Sequence, residues 1–291
     1  MSLNLDNKFV RLSIEKSLRD LPALPDIVAR ILKETENQDV SAHNIEKLLS
    51  SDQALASKVL RVVNSAYYGL SGQITSLSQA IMILGMPQVR NLVLSVSAIS
   101  TMKPKTPRQH ETLKLFWLHA FGTAAATQII AQQKRMKVND MEALFLGGLL
   151  HDIGRLFLYS MFTQTYDQVT KYAEDRQITV TEAEMKLLGL NHSQIGSMMA
   201  TTWKLPQTLI ETIARHEGPF SPGDDPTLFA VHAGDNLTQH LYYATENMVM
   251  VSLDPVAEEW LGYSEEEFED LRGQTARKIE EATALFGLLA A

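Results

Sequence analysis

The chain has 291 residues, 45% apolar and 21% charged, a balance that suits a globular protein with a large core and excludes wholesale disorder. Its formal net charge of −8, with no dense Lys/Arg cluster to offset it, disfavours non-specific polyanion binding, so no nucleic acid partner is expected. Cysteine is absent, which rules out disulfides and leaves any metal to imidazole and carboxylate donors. The N-terminus lacks the basic-then-apolar pattern of a secretion signal, and no uninterrupted apolar stretch of ~20 residues occurs. The expectation is a cytoplasmic chain with no membrane partner.

In chain order, the breaker-rich stretch Leu21-Pro22-Ala23-Leu24-Pro25 precedes a first strong helix that can begin at Asp26 and carries the stripe Ile27, Val28, Ile31 and Leu32. Ile45, Leu48 and Leu49 form a second stripe behind a plausible N-cap at Ser41, and Leu55, Val59, Leu60, Val62 and Val63 form a third. Strand-like alternation is short wherever it occurs, and no Asn-Gly or Asp-Gly turn joins two such runs, so the fold class is all-α. The Pro/Lys-rich run 102–107 divides an N-terminal helical subdomain (1–103) from a second helical one (108–250). Residues 251–291 read as an acidic amphipathic region in which Ser264 and Glu267 have capping-box spacing.

One feature stands out chemically. His151 and Asp152 lie in the apolar run 147–158, where an unpartnered carboxylate costs several kcal/mol. Asp152 therefore either faces a cation or strong donors, or is not buried. A metal ion is one candidate, and Arg155, one helical turn on, is the other. His119 and Asp235 lie in helix-like apolar settings and supply a second imidazole and a second carboxylate, making a set of two His and two Asp. His192 and His216 could complete a second metal site or bind a phosphate. Such donors suit one or two divalent ions drawn from Fe, Mn, Zn, Ni or Mg. Satisfied core histidines are the bland alternative. His232, close to Asp235, reads as a supporting or surface group, and His240 likewise. Trp117 and Trp203 read as core anchors.

The runs Leu21 to Pro25, Val62-Val63-Asn64-Ser65-Ala66-Tyr67-Tyr68-Gly69 and Ser78-Gln79-Ala80-Ile81-Met82-Ile83-Leu84-Gly85 together resemble the bacterial HDOD family. The stretch from Glu184 through Leu188-Gly189-Leu190-Asn191-His192 to Ile195-Gly196 is similar to the same family. The likeness runs from Leu21 to Tyr243 and implies a multi-helix fold with an HD-like half, related to metal-dependent phosphohydrolases. It implies that His119 is the first HD histidine, His151 and Asp152 the namesake pair, and Asp235 the closing aspartate. His192 and His216 resemble the added histidines of the HD-GYP branch, whose members hydrolyse cyclic di-GMP. Three departures weigh against that activity. Arg155 stands where a Lys is usual, Arg215-His216 replaces a His-His pair, and the Gly-Tyr-Pro signature is missing.

The resemblance implies a regulatory protein of bacterial signalling that acts through a protein partner, a nucleotide or another phosphorylated ligand. A metal-dependent phosphohydrolase is the alternative. Asn64, Tyr67 and Tyr68 are candidate residues of a partner surface, and homodimerisation is compatible with this reading.

Overall fold

The computed structural model describes residues 7–21, 24–35, 41–64, 72–101, 106–242 and 249–289. Among them there is no strand, and the all-α expectation holds. No described helix is long and apolar enough to cross a membrane.

The chain divides into two compact units, one of residues 1–22 with 104–272 and the other of residues 23–103 with 273–291. One break falls at the Lys103/Pro104 step, inside the Pro/Lys-rich run. The units do not follow chain order elsewhere, because the opening residues and residues 251–272 group with the segment that carries His119 to Asp235.

After the opening helix α1 (Asn7–Arg19), five helices follow: α2 (Asp26–Thr35), α3 (Ala42–Ser50), α4 (Gln53–Val63), α5 (Leu77–Leu84) and α6 (Met86–Thr101). These five belong to residues 23–103. Ser41, Asp52 and Ser76 cap α3, α4 and α5, each accepting from a backbone N–H three residues on. The helices bury Val28, Ile31, Ile45, Leu49, Val59, Val62 and Val93. Asn64 closes α4. Its amide donates to the Leu60 and Ile74 carbonyls (2.9 and 2.8 Å) and its oxygen accepts from the Ile74 N–H (2.7 Å), so it pins the segment leading to α5. Tyr67 and Tyr68 lie outside the described residues.

The other unit is built on α7 (Pro107–Gln133), 27 residues long, with Thr106 as N-cap and Pro107 at its first position. Residues 116–127 of this helix are buried on every face, which makes α7 a central element. It packs against α8 (Val138–Leu150), α9 (Ile153–Met161) and, further along the chain, α14 (Pro226–Tyr242). Between them run α10 (Thr163–Arg176), α11 (Val180–Leu188), α12 (His192–Thr202) and α13 (Gln207–Arg215). Last come α15 (Pro255–Leu261) and α16 (Glu265–Leu289), and Ser264 and Glu267 form the expected reciprocal cap at the start of α16. Trp117 and Trp203 are core residues, 1% and 5% exposed.

Two glycines set how closely these helices approach. A Cβ on Gly154 would lie 2.0 Å from the His192 carbonyl oxygen, so α9 meets the start of α12 backbone to backbone. A Cβ on Gly234 would lie 2.6 Å from the Thr127 hydroxyl, so α14 presses on α7 immediately before Asp235. Both contacts sit beside a candidate ligand.

Candidate metal centre

His151 and Asp152 occupy the break between α8 and α9 rather than the interior of one helix, where their apolar setting placed them. His151 closes α8 and Asp152 stands at the N-cap position of α9. An N-cap aspartate ordinarily accepts from the first-turn N–H groups, but this one makes no such bond. Both its oxygens are spent elsewhere. Oδ2 lies 2.9 Å from Arg155 Nη1 and 3.8 Å from Nε2 of both His119 and His151. Oδ1 lies 3.2 Å from His192 Nε2 and 3.6 Å from His216 Nε2. The two readings of Asp152, metal ligand and partner of Arg155, thus coexist in one geometry.

His119 comes from the middle of α7, Asp235 from α14, His192 from the first residue of α12, and His216 from the C-terminal end of α13. All six side chains are buried, none more than 3% exposed. His119 Nε2 and His151 Nε2 are 3.1 Å apart, and Asp235 Oδ1 lies 3.2 and 3.4 Å from them. His192 Nε2 and His216 Nε2 are 3.4 Å apart.

The protons on three of these rings can be assigned from their outer nitrogens. His151 Nδ1 faces the Gly148 carbonyl (2.6 Å), His216 Nδ1 the Ile213 carbonyl (2.9 Å), and His192 Nδ1 the Glu184 carboxylate (2.7 Å). Each partner can only accept, so each Nδ1 carries a hydrogen, and whenever the ring is neutral its Nε2 lone pair faces inward. Lone pairs then face lone pairs and carboxylate oxygens at 3.1–3.4 Å. Only a proton or a cation between them relieves that. Atoms ~2.1 Å from a shared ion lie about 3.0 Å apart at right angles and about 3.4 Å apart at the tetrahedral angle, so the spacing fits an ion as well as the donor types do. Three overlapping groups could each hold one: His119, His151 and Asp152; His151, His216 and Asp235; and Asp152, His192 and His216.

Charge follows the same pattern. Burial alone would raise Asp152, but Arg155, His151 and His192 hold it well below the usual carboxylate range. Burial would likewise raise Asp235, and His151 and His119 hold it well below. Burial outweighs Asp235 at His119 and lowers it, whereas at His151 the two aspartates outweigh burial and raise it. At His192 burial is overcome mainly by Glu184, which pushes the ring up to about 9.

The chain matches the HDOD domain over residues 21–219. It belongs to the HDOD family. An uncharacterised protein of Treponema pallidum is 28% identical to this HDOD chain over 231 residues, 78% of the chain and 43% of that protein. The cyclic di-GMP phosphodiesterase CdgJ of Vibrio cholerae is 25% identical over 158 residues, 54% of the chain and 34% of that protein. The HDOD chain therefore spans less than half the length of either relative. In structure it is similar to an HDOD domain protein of unknown function from Geobacter sulfurreducens, with a TM-score of 0.73 and 25% identity, covering 97% of this chain and 99% of that one.

Several residues around the centre receive no role from the sequence, although Glu184 opens a stretch that resembles the family. Glu184 on α11 is 0% exposed and accepts from His192 Nδ1, from the His192 N–H (2.8 Å) and from the Tyr166 hydroxyl (2.8 Å). Its sequence signal is positional: with Val180, Leu187 and Leu188 it falls on one helical stripe, a carboxylate where an apolar residue is expected. Glu217, directly after His216, lies 3.5 Å from His192 Nε2 and 3.7 Å from Arg155 Nη2. Gln239, one turn after Asp235, donates to its Oδ2 (2.7 Å). His232 is buried and plays a supporting part. It accepts from the Asp254 N–H at Nε2 (2.9 Å), so its Nδ1 donates to the His216 carbonyl (2.8 Å) and fixes the turn that presents His216. The His240 side chain lies outside the described residues.

Proposed function

We propose that this HDOD chain is a cytoplasmic metal-binding regulatory module of bacterial signalling. In this reading His119, His151, Asp152 and Asp235 hold a divalent ion, and the module acts through a protein partner or a phosphorylated ligand. The observation that carries it is the convergence of imidazole Nε2 lone pairs on Asp152 and Asp235, with each outer Nδ1 of His151, His192 and His216 already committed. Asn64 spends its side chain on Ile74, so any partner surface near it must rest on other groups.

A second reading, a metal-dependent phosphohydrolase, is favoured by one feature: the two oxygens of Asp152 face two different imidazole pairs. Two divalent ions bound there would polarise a phosphoryl oxygen and lower the pKa of a water. Arg155 counts against it. Its guanidinium is held by Asp152 Oδ2 and lies near Glu217, which removes one carboxylate oxygen from the donor set.

Elemental analysis of the purified chain by plasma mass spectrometry tests the metal reading. About one equivalent of a transition metal, lost in Asp152→Ala, supports it, and no uptake after incubation with Mn, Fe and Zn overturns it. Turnover of cyclic di-GMP or a generic phosphoester, dependent on added Mn or Fe and abolished by the same substitution, would put the hydrolase reading first.

A further inference from the structure

A cavity of about 150 Å³ lies against the metal centre, within the same compact unit. Leu113, Phe116, Leu156, Val180, Val249 and Met250 supply its apolar walls. Its polar wall residues point their hydrogen bonds away from the cavity's needs. Arg155 binds Asp152, Gln239 donates to Asp235, Tyr166 donates to Glu184 and Thr181 donates to Glu217 (2.8 Å). Each of the four carboxylates around the centre is thus held by a residue that also lines the cavity. The remaining polar groups bond one another: Tyr159 donates to Thr112 (2.8 Å), Thr170 to the Asp167 carbonyl (3.1 Å), and Asp167 pairs with Arg108 (2.9 Å).

These pairings decide what the cavity can take. An ionic ligand would shed its hydration and find most partners already spent, the Arg155 Nε–H excepted, beside four carboxylates that repel an anion. An uncharged hydrocarbon loses nothing and removes apolar wall from water. An apolar space of about this size is large enough for a benzene-sized guest, and this one is partly open, which gives the guest a way in. We infer that the cavity is a receptor site for one small uncharged apolar molecule, of the size of a single aromatic ring, separate from whatever phosphorylated ligand or ion the centre holds.

Toluene titrated into the full chain, followed by ligand-observed NMR and by melting temperature, is expected to show one saturable site and a rise in Tm. Phenyl phosphate, which carries the same ring with a charge, is expected to bind at least about tenfold more weakly. Val180→Phe, from the α11 wall, should fill the space and abolish saturable toluene binding with helicity unchanged. Thr170→Phe, from the α10 wall, should do the same and stands in if the first variant does not fold. Absence of a saturable toluene site in the wild-type chain overturns the inference. So does toluene binding that survives in both folded variants, or phenyl phosphate binding as tightly as toluene.

Discussion

The two ends of the buried cluster are built from the same residue types and yet differ in charge. At one end His119 and His151 face Asp235, and among the described residues no lysine or arginine pairs with that carboxylate. At the other end His192 and His216 face Asp152 Oδ1, Arg155 holds the same carboxylate through Oδ2 with its Nη2 3.4 Å from His192 Nε2, and Glu184 drives a proton onto His192. The second end therefore carries the Arg155 guanidinium and a protonated His192, whereas the first has, among the described residues, only the raised His151 to set against Asp235. The lesson is that donor type does not fix metal affinity. The charge already present does, and one ion should bind tightly at the first end before any binds at the second.

Asp152→Ala is the severest way to break this contrast, because Asp152 serves both ends. Metal content is expected to fall to background at both. Removing the carboxylate also strands Arg155, which is 17% exposed, so the melting transition should drop by the equivalent of about 3–5 kcal/mol. Calorimetry and elemental analysis on the same sample check the two effects together.

Glu184→Gln sharpens the contrast. It touches only the second end, where it frees His192 Nδ1 from its anionic anchor. Losing such a supporting partner typically costs 10–100-fold in metal affinity. Competition against a chelator should show that loss for the weaker ion alone, and an equal loss for both ions would show that the ends do not act separately.

The smallest effect is in pH. The proton on His192 must leave before its Nε2 can bind an ion, so affinity at the second end should climb about tenfold per pH unit up to about 9. The first end, where burial lowers His119 although the two aspartates raise His151, should climb less. In chelated protein the raised His192 contributes stability that is fully present below about pH 6.5 and is lost as pH passes about 9. Melting curves across that window test the sign.

How far these features could be read from the chain depends on their periodicity. The helices declare themselves through stripes such as Ile45, Leu48 and Leu49, and caps such as Ser41 stand one step ahead of them. His119, Asp152 and Asp235 are far apart in sequence; their polar side chains in apolar, helix-like runs suggest one set, and the HDOD resemblance gives each its place in it. That α8 and α9 part at His151-Asp152 is invisible in the apolar run, since Gly147, Gly148 and Gly154 serve close approaches there rather than turns. Glu184 opens a family-like stretch, but its place at the centre is hidden for a different reason. A glutamate in a helix rich in Glu and Lys reads as solvated, and its place on the stripe of Val180, Leu187 and Leu188 is a weak signal beside that; its partners come from α10 and α12.

The uncapped start of α9 also constrains how such a chain can change over generations. Asp152 gives up its local helix bond, and it pairs with Arg155 and His192 while His192 in turn is held by Glu184. A single replacement among them strands a buried charge before any benefit appears. Descendants that abandon the ion should therefore exchange these four residues as a block, and lineages caught between the two states should be short-lived.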